Sequence, residues 1–173
     1  KKRLSRMYWK KNKEIDNGIC ISDAVNMLDK QLNESIDMQL VSDVPIGVFL
    51  SGGVDSSAVA EYANKNTKSK INTFTLDFKN KQSQDSLYAS IMSSKLDTNH
   101  VVIEVSNEEQ IEQLEEIISF LDEPIADSAI VPTFIISKEA KKRGIKVLLS
   151  GAGGDEIFGG YSRYKKKDFL SAA

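Results

Sequence analysis

The stretch "VPIGVFLSGGVDSS", residues 44–57, is the most informative part of the chain, because it joins a short apolar run to a glycine-rich loop and then to a helix start. An uninterrupted apolar run of this length is typical of a strand that is buried on both faces. The stretch "IKVLLSGAGGDEIFGGY", residues 145–161, repeats the same order of apolar run and glycine-rich loop. The sequence therefore predicts two similar strand–loop corners in different parts of the chain.

The segments around these corners alternate between helical and extended patterns. An amphipathic helix with Ser22 or Asp23 as its cap precedes the first strand, and its apolar positions are Ile21, Val25, Leu28, Leu32, Ile36 and Leu40. Further strands are predicted at 71–78 and 100–105, and helices at 55–65, 84–96, 106–121 and from Pro132 to Gly144. Ser106 and Glu109 form a capping box. Alternation without tight hairpins predicts an α/β fold, with a mostly parallel sheet and helices on both faces.

Both glycine loops follow predicted strands, and parallel sheets bind ligands at the carboxyl ends of their strands. Gly52 and Gly53 allow close approach of the backbone, and the N-terminus of the following helix favours an anion. Asp55 would repel that anion unless a cation such as Mg²⁺ lies between them, so the loop is typical of a polyphosphate site. The alternative is a plain strand–turn–helix corner in which Asp55 or Ser56 caps the helix.

Composition excludes several other classes. The 173 residues suffice for one domain with a core, and no apolar run approaches the roughly 20 residues that span a bilayer, so no membrane contact is expected. Cys20 is the only cysteine, which excludes an internal disulfide and favours a cytoplasmic protein. His100 is the only histidine, so a multi-histidine metal site is excluded within the chain. A net charge of −2 argues against a nucleic-acid partner.

The loop "SGGVDSS" resembles the signature S-G-G-x-D-S of the ATP pyrophosphatases, and "SGAGGDEIFGGYSRY" is similar to the second loop of the asparagine synthetase B family. The segments "DSLYA", "DEPIADSAIVPTF" and "SKEAKKRGIKVLLSG" extend the resemblance over residues 20–164. It implies a Rossmann-like ATP pyrophosphatase fold (adenine nucleotide alpha hydrolase-like). It also implies an amidating ligase that uses ATP and Mg²⁺ to activate a carboxylate, most simply aspartate, as an acyl-adenylate. Ammonia from glutamine then displaces AMP.

The resemblance implies a role for each matching residue. The expected ATP contacts are Leu50, Ser51, Gly52, Gly53, Asp55, Ser56, Leu76, Ser150 and Gly151. Of these, Leu50 and Leu76 match positions that line adenine and ribose. Asp55 and Asp155 match the Mg²⁺ ligands, and Glu156 joins them in the expected catalytic set. The alternative for Asp155 and Glu156 is helix capping and a solvated acid pair.

Ala152 stands where many members of the family carry Glu or Asp, and its methyl group can neither accept a proton nor pair with ammonium. Another acid, such as Glu156, Glu123 or Asp127, would have to substitute, or the acceptor differs from aspartate. A relative that amidates a sugar acid or a secondary metabolite is therefore one alternative. A catalytically silent nucleotide-binding domain is another. A tRNA-modifying enzyme of the pyrophosphate-loop group is disfavoured by the near-neutral charge and by the second loop.

The resemblance also predicts the organisation of the chain. Residues 1–19 are expected to be a basic linker from an upstream glutaminase domain that this chain lacks, and residues 20–173 a synthetase domain that is truncated at its C-terminus. The expected partners are a small carboxylate substrate and ammonia or glutamine, and a homodimer is an expectation for the full-length form. Cys20 does not resemble the glutaminase nucleophile and is interpreted as structural.

Overall fold

The computed structural model describes residues 4–8, 10, 18–79 and 83–165. Its helices are α1 (Ile21–Gln39), α2 (Val54–Asn66), α3 (Gln84–Leu96), α4 (Asn107–Glu112), α5 (Leu114–Phe120), α6 (Ile130–Lys142), α7 (Gly154–Phe158) and α8 (Ser162–Lys165). Its strands are β1 (Ile46–Phe49), β2 (Asn72–Phe78), β3 (Asn99–Val105) and β4 (Val147–Leu149). Most of the expected basic linker, and the chain after residue 165, lie outside the described residues.

The four strands form one parallel sheet in the order β3–β2–β1–β4. The chain steps outward from β1 to β2 and β3, and then returns to the other side of β1 as β4. Register pairs Val48 of β1 with Thr73 of β2 and with Leu149 of β4. Strand order therefore reverses between β1 and β4, which is where open α/β sheets form their ligand crevices.

Helices cover both faces of the sheet, as the sequence predicts. On one face Val48 and Leu50 pack in a cluster with small residues of α2 and α3, among them Ala60 and Ala89. On the other face α6 packs on the sheet, in a cluster that contains Phe74, Ile136, Ala140 and Ile145. Residues that alternate along a strand point to opposite faces, so β1 contributes Val48 to the first cluster and Phe49 to the second. The prediction of an α/β fold with a parallel, doubly covered sheet is confirmed.

Helix α1 departs from the prediction in its cap and in its apolar stripe. Cys20, which is exposed, occupies the N-cap position, and the Ser22 hydroxyl lies 2.9 Å from its Sγ, so neither Ser22 nor Asp23 caps the helix. Ile36 is buried against the core, whereas Ile21 is 85% exposed. Of the predicted stripe, Ile36 and Leu40 near the C-terminal end pack in the core cluster, and α1 makes its contacts with α2.

Two other helices differ from the prediction at their boundaries. Helix α6 begins at Ile130, which places Pro132 inside its first turn, where a missing N–H is tolerated. It ends near Gly144, which has φ +79° as expected for a C-terminal glycine. The helix predicted over 106–121 is broken at Gln113, whose φ of −84° and ψ of −9° separate α4 from α5.

Candidate functional site

The loop after β1 is organised by the buried hydroxyl group of Ser56. Its Oγ accepts a hydrogen bond from the Ser51 N–H at 3.2 Å, donates to the Gly53 carbonyl at 3.2 Å, and lies 3.0 Å from the Ser51 Oγ. Gly53 is the N-cap residue of α2 and has no side chain to cap its first turn. The loop therefore presents backbone N–H groups at a helix N-terminus, which is an arrangement that favours an anion.

Gly52 fixes this loop against α3. Its φ is +74°, and a Cβ atom on it would lie 2.6 Å from the Tyr88 Cβ and 2.7 Å from the Ala89 backbone nitrogen. Real Cβ atoms essentially never approach a non-bonded heavy atom this closely, so α3 packs directly behind the loop. Glycine is required here by both the backbone conformation and the close approach.

The loop after β4 packs on the first loop through two glycines. A Cβ on Gly151 would lie 2.9 Å from both the Asp55 Cβ and the Ser56 N, and a Cβ on Gly154 would overlap the Asp55 carboxyl group. Gly160 stands in the same relation to the carboxyl group of Asp155. The carboxyl groups of Asp55 and Asp155 thus occupy the space that side chains on Gly154 and Gly160 would need. The close approach of Gly151 and Gly154 to Asp55 and Ser56, called the interlock below, places the two loops in direct contact.

The two loops enclose an open cleft of about 620 Å³. Its lining residues are Ser51, Gly53, Val54, Asp55, Ser56, Gly151, Ala152, Gly154, Asp155, Phe158 and Gly160. Among the described residues that line the cleft, the charged side chains are the half-buried Asp55 and Asp155, and none is cationic. Two carboxylates in the lining favour the entry of a polyphosphate together with a cation.

The donor set of the cleft fits magnesium. Carboxylate oxygens are hard ligands, and Mg²⁺ is usually held by one or two carboxylates together with substrate phosphates and water. Over the residues that the structure describes, no group of three or more His, Cys, Asp or Glu side chains could hold a metal by itself. Asp55 and Asp155 thus suit a cation that arrives with a nucleotide, rather than a metal caged by protein alone.

Six of the residues predicted for the site line the cleft, namely Ser51, Gly53, Asp55, Ser56, Gly151 and Asp155. Gly52 lies behind them against α3. Ser150 does not line the cleft; it is exposed and accepts a 3.4 Å hydrogen bond from the Ala152 N–H. Leu50 and Leu76 do not line this cleft: the Leu50 side chain is in the core at 1% exposure, and Leu76 packs partly buried on the opposite face.

Ala152 lines the cleft, and the acids that could replace a side chain at this position lie elsewhere. Glu156 is exposed and its Oε1 accepts a 3.0 Å hydrogen bond from the Tyr161 hydroxyl group. Asp127 accepts a 2.9 Å hydrogen bond from the Ala129 N–H in the exposed segment before α6, and Glu123 is exposed in the same segment. Neither of the two lines the cleft, and Glu156 does not line it either.

Sequence reasoning missed two polar residues of β2 that support the site. The Thr75 hydroxyl donates to the Leu50 carbonyl immediately before the first loop. Asp77, only 5% exposed, accepts hydrogen bonds from the Phe78 N–H at 2.9 Å and the Ser83 N–H at 3.0 Å. Burial alone would raise the pKa of Asp77, but hydrogen bonds, led by that from the Ser83 N–H, outweigh it and leave the pKa below its usual value. The sequence feature that could have identified Asp77 is the position of an acid near the end of an apolar strand.

The arrangement of strands and helices defines a class of protein. It is that of the Rossmann-like ATP pyrophosphatase fold, also called adenine nucleotide alpha hydrolase-like. An NH3-dependent NAD synthetase from Campylobacter jejuni superposes with a TM-score of 0.54 at 14% identity, over 79% of this chain and 60% of that one. At this identity the likeness shows the fold alone.

The sequence then identifies the family. The family model for asparagine synthase matches residues 27–173, and the chain belongs to the asparagine synthase family. A putative asparagine synthetase (glutamine-hydrolyzing) of Mycobacterium bovis is 40% identical over 135 residues, which are 78% of this chain and 20% of that protein. Asparagine synthetase (glutamine-hydrolyzing) 1 of Bacillus subtilis is 37% identical over 133 residues, 77% of this chain and 21% of that protein. The chain thus spans about a fifth of the length of these relatives.

Within the described ranges, none of the helices is long and apolar enough to cross a lipid bilayer.

Proposed function

We propose that this chain is the nucleotide-binding part of a ligase that activates a carboxylate with ATP and then amidates it. The observation that carries the proposal is the interlock of the two glycine loops, which brings Asp55 and Asp155 to one cleft. Membership of the asparagine synthase family supports the same reaction class. Aspartate is the simplest acceptor, and ammonia derived from glutamine is the proposed nitrogen source for the whole enzyme.

Each part of the site has a proposed task. The N–H groups of Gly52 and Gly53 and the hydroxyls of Ser51 and Ser56 hold the pyrophosphate part of ATP at the N-terminus of α2. Gly151 and Ser150 form the second contact. Asp55 and Asp155 would hold Mg²⁺, which neutralises phosphate charge when it is bound. The proposed contacts of Leu50 and Leu76 with the adenosine involve their backbone, because both side chains pack in the core clusters.

The proposed reaction has two steps. A carboxylate oxygen of the acceptor attacks the α-phosphorus, the bond to the bridging oxygen breaks, and pyrophosphate leaves with its electron pair. Ammonia then attacks the acyl carbon of the adenylate, and AMP leaves as the amide forms. The residues of this chain hold the triphosphate in line for the first step, since positioning and charge stabilisation supply most of the catalysis in such transfers.

Ala152 favours a second candidate, an enzyme that amidates a carboxylate other than aspartate. The cleft is lined by the methyl group of Ala152 and by the apolar side chains of Val54 and Phe158, whereas Glu156 lies outside the lining and accepts a hydrogen bond from Tyr161. An acceptor without an ammonium group would suit that wall better. Pyrophosphate release by the full-length enzyme, measured over a panel of carboxylates including aspartate, separates the two candidates.

Titration calorimetry with ATP tests nucleotide binding directly. We expect the chain to bind ATP with magnesium and to lose binding in EDTA. Asp55→Ala and Asp155→Ala should each weaken binding by about tenfold or more, which corresponds to about 1.4 kcal/mol. Asp23→Ala is the matched control, because it removes the same charge from an exposed position on α1, outside the cleft.

Equal affinities for the wild type and both cleft variants would contradict the proposed metal ligands. A folded wild-type chain that binds no ATP would contradict the site itself. Circular dichroism of each sample, recorded before titration, distinguishes that result from unfolding.

A further inference from the structure

Asp77 lies next to the proposed nucleotide site without lining its cleft. It sits near the carboxyl end of β2, the strand that pairs with β1 on the side away from β4. Its carboxyl group is almost fully buried, and one oxygen, Oδ1, accepts both the Phe78 N–H and the Ser83 N–H. Burying a carboxylate costs free energy, which hydrogen bonds to two backbone N–H groups offset here. Those bonds fix the two ends of the connection between β2 and α3.

Ser83 connects Asp77 to α3, because its N–H donates a hydrogen bond to the Asp77 Oδ1. It is the N-cap of that helix, and its own Oγ accepts a 3.1 Å hydrogen bond from the Ser86 N–H. Asp77 therefore holds the backbone of the cap while the cap side chain holds the first turn. A negative charge at a helix N-terminus is also favourable to the helix dipole.

Helix α3 in turn supports the first glycine loop. A Cβ on Gly52 would meet the Tyr88 Cβ, the Ala89 nitrogen and the Asp85 carbonyl, all within 2.7 Å, so the first two turns of α3 lie directly behind the loop. A shift of α3 toward the loop would push Gly52, and a shift away would leave it unsupported. The geometry of the loop N–H groups thus depends on the position of the helix.

We infer that Asp77 is a positioning residue for nucleotide binding. It sets α3 against Gly52, and α3 holds the Gly52 and Gly53 N–H groups where the pyrophosphate needs them. This inference rests on the proposed function for its ligand, whereas the mechanical link between Asp77 and the loop stands on the contacts alone.

The test compares Asp77→Ala, Asp77→Asn and the control Asp85→Ala by amide hydrogen exchange and by ATP calorimetry with magnesium. Asp85 lies in the first turn of α3, and its side chain is exposed. In Asp77→Ala we expect faster exchange at Ser83, Ser86 and Gly53 without nucleotide, and ATP binding weaker by roughly tenfold. Asp77→Asn keeps an Oδ1 acceptor and should restore both within about twofold of wild type.

A purely structural role predicts a different pattern: lower stability in Asp77→Ala, unchanged exchange at Gly53, and unchanged ATP affinity of the folded fraction. That result would overturn the inference, and so would equal losses in Asp77→Ala and Asp85→Ala. If Asp77→Ala does not fold, Asp77→Ser, whose hydroxyl is too short to reach Ser83, takes its place. Failure of the wild type to bind ATP counts against the proposed function only, because the exchange at Gly53 still decides whether Asp77 positions the loop.

Discussion

Gly52 and Gly144 share a backbone conformation but not an environment. Their φ values are +74° and +79°, both in the left-handed region that glycine adopts most readily. Around Gly144 nothing lies within 4 Å of the position of a Cβ atom, whereas at Gly52 that position is filled by α3. Conformation alone accounts for Gly144, and conformation together with packing accounts for Gly52.

The pair allows the packing of the loop on α3 to be measured. Gly144→Ala should lower the free energy of unfolding by about 1 to 2 kcal/mol, which is the cost of a left-handed alanine. Gly52→Ala should lower it by a further 1 to 3 kcal/mol, about the cost of overpacking a closed site. Urea unfolding followed by circular dichroism measures both. Equal losses in the two variants would contradict the close contact between Gly52 and α3.

The residues of the first loop could be predicted from the sequence, but their partners could not. The prediction of Gly52, Gly53 and Asp55 came from a local motif, because glycine allows close approach to the proposed anion and an acid beside that anion would need a cation. The contact of Gly154 with Asp55 depends on the pairing of β1 with β4, which no local pattern encodes. The burial of Leu50 is likewise a consequence of packing between layers.

The predicted helix starts agree with the structure where a side chain caps the helix. The prediction of 84–96 for α3 is confirmed, with Ser83 as the cap, and the Ser106–Glu109 capping box is present at α4. The break at Gln113 was not predictable, because apolar spacing continues from α4 into α5 across it. At α1 two polar residues suggested a cap that the structure does not use, since Cys20 takes the N-cap position.

The capping box gives a prediction for α4. Its Ser106 Oγ accepts from the Glu109 N–H at 3.2 Å, and the Glu109 carboxylate accepts from the Ser106 N–H at 2.7 Å. Ser106→Ala should lower the free energy of unfolding by about 1 kcal/mol. Ser94→Ala is the matched control, because Ser94 is an exposed serine inside α3 where alanine is favoured. A Ser106 variant as stable in urea as the Ser94 variant would show that this cap is not needed.

The order of the strands is the property of the whole molecule that matters most for the site. Alternating patterns predict a parallel sheet, but they are compatible with several strand orders. The observed order β3–β2–β1–β4 is what makes β1 and β4 neighbours and brings their loops to one cleft. That order arises from long-range packing of α2, α3 and α6 on opposite faces, so it emerges only in the folded chain.

His100 gives the whole fold a dependence on pH. It is the second residue of β3, and its Nδ1 lies 2.9 Å from the Thr73 Oγ1. Burial lowers the pKa of His100 from its usual 6.5, an effect that hydrogen bonding to Thr73 opposes in part. The neutral imidazole is therefore favoured in the folded chain, and stability is lost as the pH falls below the unfolded-state pKa, because the unfolded chain then binds a proton that the folded chain resists.

We expect the free energy of unfolding to fall between about pH 7.5 and pH 5.5, and His100→Gln to reduce that fall. Urea titrations at several pH values in this range, on both proteins, measure the effect. Parallel pH profiles would contradict it.

The glycine-and-acid interlock has a consequence for protein engineering. A loop transplanted from a relative into residues 150–160 would need a small residue at position 154 or a shift of the Asp55 carboxyl group, because that carboxyl group occupies the space beside Gly154. The two loops are sterically complementary, so a larger side chain in one loop requires a smaller one at the facing position of the other. Libraries that randomise this cleft should therefore vary positions 55 and 154 as a pair, and survivors should carry correlated sizes at those two positions.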